Sequence, residues 1–184
     1  SAVLAGADEN PVGSGEVVEG DSRDLPRLFE GGADVLVTSP PYPNRMSYVR
    51  ELRPYMYWLG YLRQSHEAGD LDWKAIGGTW GSATSRVAAW KKDSDSFFPE
   101  YLPELLDRIT NAGPSSGDTL ARYVGKYFED IWYHLRTAVR QVKHGGELHY
   151  IVGNSKFYDV VIPTEVIYRD MLLKAGAKST TVVR

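Results

Sequence analysis

Four consecutive residues, Ser39-Pro40-Pro41-Tyr42, combine a stiff backbone with hydrogen-bond acceptors and an aromatic ring. Proline fixes its own φ and favours an extended conformation in the residue before it, so Ser39 to Pro41 should form a rigid, extended projection. Neither proline can donate a hydrogen bond, and the backbone carbonyls of Ser39 and Pro40 are therefore offered as acceptors beside the Ser39 hydroxyl. This combination suits a planar ring with an exocyclic amine, because Tyr42 can stack on the ring while the oxygens accept the amine protons.

Such an amine is a poor nucleophile because its lone pair is conjugated with the ring. Acceptance of both N–H bonds from one side pulls the nitrogen toward tetrahedral geometry and directs its lone pair at an electrophile, which is catalysis by positioning and electrostatics. The chemistry needs no cysteine, metal or strong base. The alternative is a plain proline-rich turn after a strand, and composition alone does not separate the two interpretations.

Strands that alternate with helices would position this segment. Ala33 to Thr38 is a near-continuous apolar stretch, which predicts a strand covered on both faces that ends directly at Ser39. Glu147 to Val152 predicts a second buried strand, followed by Gly153-Asn154-Ser155. Two further short strands are predicted over Glu16 to Gly20 and Ser179 to Val183. The pattern predicts an α/β fold with a mostly parallel sheet and right-handed crossovers.

Apolar residues at helical spacing predict the connecting helices. The predicted segments are Asp21 to Glu30 as a short helix or turn, Met46 to Leu62 with Pro54 as an interruption, Leu120 to Val142 ended by Gly145-Gly146, and Pro163 to Ala175. Residues 65–117 have no sustained period except near Tyr101 to Ile109, and we interpret them as an irregular helical and loop insertion.

Length and composition narrow the class of protein. With 184 residues, 42% hydrophobic and 24% charged, the chain fits one domain over residues 1–184 that buries a core. The absence of cysteine excludes disulfides and thiolate chemistry, and the four histidines have neither ligand nor triad spacing, so no metal site is predicted. No apolar run is long enough for a membrane span, which makes a cytoplasmic protein the expectation.

The run Asp34 to Tyr42 resembles the catalytic motif of the S-adenosylmethionine-dependent DNA amino-methyltransferases, which carry (D/N/S)PPY after a buried strand. The serine form is most associated with cytosine-N4 modification, and the aspartate and asparagine forms with adenine-N6 enzymes. Further segments similar to one branch of that family follow in the same order: Glu19 to Ser22, Asn44 to Tyr48 with a Tyr- and Trp-rich helix, Tyr127 to Asp130, Gly145-Gly146, Val152 to Ser155 and Ile162-Pro163.

The resemblance implies a Rossmann-like methyltransferase sheet and a role for each matching residue. Ser39 and the carbonyl of Pro40 would accept hydrogen bonds from the target amine, Pro41 would keep the motif rigid, and Tyr42 would stack on a base flipped out of double-stranded DNA. The implied cofactor-binding residues are Asp21 with Ser22, and Asp8 or Glu9 for the ribose hydroxyls. The implied nucleic-acid-binding residues are Asn44, Arg45, Arg50, Arg53 and Asn154.

One part of the family pattern is missing. These enzymes bind the methionine end of S-adenosylmethionine with a strand, a glycine-rich turn and a helix. Val12-Gly13-Ser14-Gly15 contains Gly-x-Gly but precedes a strand-like run rather than a helix. We therefore expect a partner subunit, or a segment outside this sequence, to supply the glycine-rich cofactor turn.

The leading hypothesis is a site-specific DNA methyltransferase of the restriction-modification or orphan type that acts on cytosine N4, with residues 65–117 as the candidate target-recognition region. Two alternatives stay open. One is an RNA methyltransferase that acts on a base amine, and the other is a non-catalytic nucleic-acid-binding module with an incomplete cofactor site. Cofactor binding discriminates this last alternative from the enzymes. Because the net charge of the chain is −3, any nucleic acid would have to bind at locally basic segments.

Overall fold

The computed structural model describes residues 13–29, 31–44, 47–78 and 84–184. Two strands, β1 (Ala33–Thr38) and β2 (Val142–Tyr150), form a parallel pair. Their register places Thr38 opposite Tyr150, so the carboxyl ends of both strands lie at one edge. The α/β class predicted from the sequence is confirmed.

Seven α-helices lie in the described ranges. They are α1 (Leu25–Leu28), preceded by a 3-10 turn over Ser22–Asp24, α2 (Tyr48–Trp58), α3 (Ser65–Lys74), α4 (Thr84–Ala89), α5 (Leu102–Ala112), α6 (Gly117–Gln141) and α7 (Thr164–Ala175). A hairpin of β3 (Ser155–Phe157) and β4 (Val160–Ile162), which was not predicted, precedes α7. Helix α6 has an apolar face of more than five turns that includes Val124, Phe128, Ile131 and Leu135, and α4, α5 and α7 pack on it to form the main core.

The boundary between α6 and β2 differs from the prediction. Gly145-Gly146 does not end the helix, which stops at Gln141 and passes directly into β2. The glycines lie inside β2, where the pairing shifts so that Val142 faces Ala33 and Glu147 faces Val35. Gly145 has φ +85°, a backbone conformation that glycine adopts without strain, so the pair forms an irregularity of the strand and not a helix terminator.

The prediction that β1 is covered on both faces is wrong. The side chains of Val35 and Val37 are 53% and 67% exposed. Beside them an open groove of about 420 Å³ is lined mainly by apolar side chains, among them Leu25, Phe29 and Leu36. The apolar run encodes burial on both sides, but within the described residues only β2 pairs with β1, and no second layer lies on its outer face.

The predictions of short strands over Glu16 to Gly20 and Ser179 to Val183 are also wrong. Residues 13–19 and 179–184 have no regular structure, and Val17 and Val183 are almost fully exposed. Valine favours strands only where a neighbouring strand and a packed face are present, and no neighbouring strand lies beside either segment in the described ranges.

Residues 65–117 are more ordered than predicted, because α3, α4 and α5 lie in this range. The apolar pattern did not predict these helices in full, because each spans only about two or three turns. Trp73 packs against the main core, and Trp90 Nε1 donates a hydrogen bond to Glu129 Oε2 at 2.8 Å. Gly125 makes room for the Trp90 ring, since a Cβ atom there would lie 2.8 Å from Trp90 Cη2. These two tryptophans are structural, whereas Trp80 lies outside the described residues.

Of the helices within the described part of the chain, not one has the length and apolar character needed to cross a membrane.

Candidate functional site

The Ser39 to Tyr42 segment begins where the two parallel strands end. Ile151 N donates to Thr38 O at 3.0 Å and continues the ladder for one residue. Ser39 Oγ then donates to Ile151 O at 3.3 Å. Because the only proton of this hydroxyl points at a carbonyl, its lone pairs face outward as acceptors. Ser39 itself is exposed, so a ligand can reach them.

Pro41 is fixed from below by a buried tyrosine. Tyr127 on α6 donates its hydroxyl proton to Pro41 O at 2.8 Å. Its oxygen also lies 2.9 Å from Tyr168 Oη on α7, and since Tyr127 has only one proton, Tyr168 is the donor in this second contact. Burial raises the pKa of both phenols well above 10, so both keep their protons. The two hydroxyls form a chain of hydrogen bonds that ends on the backbone of the segment.

Gly77 packs against both Pro41 and Tyr127, beside the hydrogen bond that joins them. It has φ +71°, and a Cβ atom at this position would lie 3.4 Å from Pro41 Cβ and 3.5 Å from Tyr127 Cδ2. Tyr123 Oη donates to Gly77 O at 3.1 Å and fixes this turn on α6. Pro41 is therefore held between α6 and the turn after α3.

The carbonyl of Pro40 and the ring of Tyr42 complete the segment; Pro40 is buried and Tyr42 is half-buried. Among the described residues, none donates a hydrogen bond to the carbonyl of Pro40. The half-buried Tyr42 lies beside Gly153, because a Cβ atom built there would be 4.0 Å from Tyr42 Cζ. The structure thus brings the segments after β1 and β2 together, with a hydroxyl, a free carbonyl and an aromatic ring in sequence order.

The second predicted segment, Asp21-Ser22, is attached to the same helix. Asp21 accepts hydrogen bonds from Arg23 N at 2.9 Å, Arg23 Nε at 3.0 Å and Arg23 Nη2 at 2.7 Å. These bonds lower the pKa of Asp21 below its ordinary value and occupy both carboxylate oxygens. Arg23 Nη1 also donates to Asp130 Oδ1 on α6 at 2.6 Å, and Asp130 pairs with the buried Lys126.

The carbonyl of Ser22 is held one turn further along α6. His134 Nδ1 donates to Ser22 O at 3.0 Å, and Thr137 Oγ1 donates to the same oxygen at 3.3 Å. Since a carbonyl only accepts, Nδ1 carries the proton, and Nε2 accepts from Tyr150 Oη at 3.0 Å. Burial lowers the pKa of His134 below its ordinary value, which favours this neutral tautomer.

One face of α6 therefore anchors both segments. Tyr127, Asp130 and His134 are spaced i, i+3 and i+7, which places them on one side of a helix over about 10 Å. Tyr127 contacts the segment after β1, while Asp130 and His134 hold the turn at residues 21–23. Tyr127 lies within the predicted helix Leu120 to Val142, but its contact with the segment was not predicted; its hydroxyl was the available signal, because a buried tyrosine oxygen needs a partner.

The other candidate residues are dispersed. Asn44 and Arg50 are exposed, and Arg53 Nη2 donates to Ser65 O at 3.3 Å. Asn154 Nδ2 donates to Glu165 Oε1 at 2.9 Å, so this amide is engaged with α7. Asp8, Glu9 and Arg45 lie outside the described residues. Within the described ranges, no three side chains of His, Asp or Glu come together as a metal site.

His134 predicts a pH dependence of stability. Its pKa is lower in the folded chain than the ordinary 6.5, so the unfolded state takes up a proton first as the pH falls. The free energy of unfolding should therefore decrease from about pH 6.5 downward, by at most about 1.4 kcal/mol per pH unit, until the folded pKa is reached. Asp21 and the other carboxyls with lowered pKa change the free energy of unfolding only at more acidic pH.

The measurement is urea unfolding between about pH 7.5 and about pH 5.5, for the wild type and for His134→Gln. The variant should lose most of this dependence, because glutamine does not titrate. An equal slope in both proteins would show that His134 is not the responsible group.

No family model matches the chain, and the searches of curated proteins and of solved structures likewise return no match.

Proposed function

We propose that this chain transfers a methyl group from S-adenosylmethionine to the exocyclic amine of a base flipped out of DNA, with cytosine N4 as the preferred target. One observation carries the proposal: Ser39 Oγ has its proton on Ile151 O, the carbonyl of Pro40 has no donor among the described residues, and the Tyr42 ring follows them in the chain and lies beside Gly153. An amine with two N–H bonds on a flat ring is the group that this arrangement complements.

The roles of the residues follow from that arrangement. Ser39 Oγ and Pro40 O accept the two amine protons, while Tyr42 stacks on the ring and limits its rotation. In the transfer, the amine nitrogen would bond to the methyl carbon, the donor sulfur would keep the electron pair of the broken carbon–sulfur bond, and one amine proton would pass to solvent water. The two oxygens stabilise the positive charge that develops on the nitrogen. S-adenosylmethionine supplies the activated methyl group.

The part of the site that would hold the methyl donor is less complete in the described residues. Arg23 occupies both oxygens of Asp21, so a cofactor hydroxyl or amine would have to share them. Gly13-Ser14-Gly15 is exposed and has no helix behind it. We propose that a partner subunit or a further segment supplies the glycine-rich turn and extends the sheet into a Rossmann-like one. The exposed β1 face and its apolar groove support this proposal, because such surfaces are normally covered.

A second candidate is a non-catalytic nucleic-acid-binding module that keeps the base pocket. The engagement of Asp21 by Arg23 favours it. As an enzyme, the protein would be a cytoplasmic modification methyltransferase that acts on double-stranded DNA; an RNA substrate would use the same acceptors and ring.

Calorimetric titration with S-adenosylmethionine, alone and with a cytosine-containing duplex, separates these candidates. Binding of about micromolar strength in either condition supports the enzyme. An absence of binding in both conditions, together with retained binding of DNA, would contradict an autonomous methyltransferase and favour the module.

Tyr127→Phe tests whether Tyr127 holds the acceptor segment, Ser39 to Tyr42, in place. The variant removes the donor to Pro41 O, and a misplacement of about 1 Å can cost about a hundredfold in rate. We expect kcat for methyl transfer to fall by about tenfold to a hundredfold, with little change in the affinity for S-adenosylmethionine. Tyr168→Phe is the matched control, because it removes a hydroxyl from the same chain of bonds but leaves Tyr127 on Pro41. Equal rates in the two variants would contradict this role of Tyr127.

A further inference from the structure

Helix α2 and the turn after it carry an unusual exposed aromatic surface. Trp58, Tyr61 and Tyr55 are 82%, 75% and 61% exposed, although tryptophan is on average among the more buried residues. We call this surface the aromatic face of α2; its members are Tyr48, Leu52, Tyr55, Tyr57, Trp58, Leu59 and Tyr61. Five of the seven are aromatic, and all lie within 14 consecutive residues. Single exposed apolar residues scattered over a surface are normal, but seven of them within one short segment are more than such scatter explains.

This surface is separate from the face that α2 uses to pack. Val49 and Met56, on a neighbouring stripe of the helix, form a small core with Leu62 and with Ala68 of α3. Tyr48, Leu52 and Tyr55 follow at i, i+4 and i+7, which is a second stripe of the same helix. Folding of the described residues therefore does not need the aromatic face.

The aromatic face lies in the basic part of an acidic protein. Residues 47–63 contain Arg50, Arg53 and Arg63 against one acidic residue, Glu51, while the whole chain has a net charge of −3. Arg50 and Arg63 are exposed. Arginine beside exposed tyrosine and tryptophan suits a ligand that combines negative charge with flat rings.

The aromatic face follows the acceptor segment closely in the sequence. Helix α2 begins at Tyr48, six residues after Tyr42, and extends for about 16 Å. Its first turn is fixed, because the buried Ser47 accepts from Arg50 N and donates to the buried Asp72 of α3. The turn after α3 also lies against Pro41, so the start of α2 and the acceptor segment are held by the same part of the chain.

We propose that the aromatic face of α2 binds an unpaired nucleic-acid strand, with bases stacked on Tyr55, Trp58 and Tyr61 and phosphates at Arg50 and Arg63. Bases in a duplex have their flat faces covered by their neighbours, so only an unpaired strand offers rings for stacking. A second copy of this chain fits less well, since a symmetric contact would bring the same arginines together. The inference rests on the proposed function and adds the form of its substrate: the target strand is unpaired where it continues from the reacting base onto the aromatic face, so a duplex must open there.

The test is fluorescence anisotropy of the full chain with a labelled thymidine oligonucleotide of about 12 nucleotides, and with a duplex of the same length. Thymine has no exocyclic amine, so its binding does not depend on the Ser39 acceptors. We expect tighter binding of the single strand than of the duplex, and a fall with added salt. Trp58→Ala should weaken single-strand binding about tenfold, and Trp58→Ala with Tyr61→Ala by more. Phe29→Ala, which removes a half-exposed aromatic ring at the β1 groove, is the matched control and should bind as the wild type does.

Three results would overturn the proposal: equal binding by the wild type and the double variant, no binding of the oligonucleotide at about 100 µM protein, or a dimer in sedimentation that Trp58→Ala dissociates. The last result would assign the surface to a second copy. Failure here is distinguishable from failure of methyl transfer. Methylation of a cytosine duplex with no thymidine binding would reject only this inference, and thymidine binding without S-adenosylmethionine binding would reject only the enzyme.

Discussion

Tyr42→Ala is expected to lower methyl transfer to a cytosine-containing duplex by at least about a hundredfold, with little change in the free energy of unfolding. Base stacking on an aromatic ring contributes about 1 to 3 kcal/mol, and the loss of orientation at the amine adds to that. The fold should tolerate the change because Tyr42 is only half-buried and is not part of the main core.

Tyr42→Phe is the control for this variant, since it keeps the ring and removes only the hydroxyl. It should retain most of the activity. The rates are measured by transfer of labelled methyl groups, and urea unfolding checks the fold. Methylation by Tyr42→Ala at the wild-type rate would exclude Tyr42 from the site.

Asp130→Asn is expected to destabilise the chain by about 3 to 5 kcal/mol, which is a large fraction of the stability of a domain of this size. Asp130 is 8% exposed and pairs with both Lys126, 7% exposed, and Arg23. The asparagine would leave the buried Lys126 without its counter-charge, and Arg23, 21% exposed, would keep Asp21 alone. The same change would release Arg23 and Asp21 from α6, so the turn at residues 21–23 should also loosen.

A surface pair on the same helix provides the control. Asp118 and Arg122 form an i, i+4 pair with side chains 64% and 37% exposed, so Asp118→Asn should cost less than about 1 kcal/mol. Urea unfolding measures both variants. A loss of less than about 1 kcal/mol for Asp130→Asn would show that the pair with Lys126 and Arg23 is not a main support of the fold.

The elements with strong sequence patterns were predictable. The apolar run of β1, the long face of α6 and the apolar residues of α7 each follow one period, and local pattern decides their structure. The strand end at Thr38 was predictable for a second reason: two prolines follow Ser39, and proline ends a ladder because it has no N–H. The placement of Ser39 to Tyr42 at the carboxyl edge of a parallel pair follows from these two facts.

What depends on tertiary contacts was not predictable. The bond from Tyr127 to Pro41 joins residues 86 positions apart, and no local pattern encodes it. The role of Asp130 was hidden for the same reason, because i, i+4 charge pairs such as Lys126 and Asp130 are common on solvated helix faces. Strand predictions at residues 16–20 and 179–183 were wrong because strand formation needs a neighbour that the local sequence does not report.

The central claim is that Ser39 to Tyr42 positions an exocyclic amine for methylation. The most direct measurement is incubation of the chain with S-adenosylmethionine and a cytosine-containing duplex, followed by digestion and mass spectrometry of the nucleosides. The claim predicts N4-methylcytosine with the wild type and its loss with Ser39→Ala and Tyr42→Ala. If the wild type binds both S-adenosylmethionine and the duplex and yet no methylated base is found, the claim is contradicted.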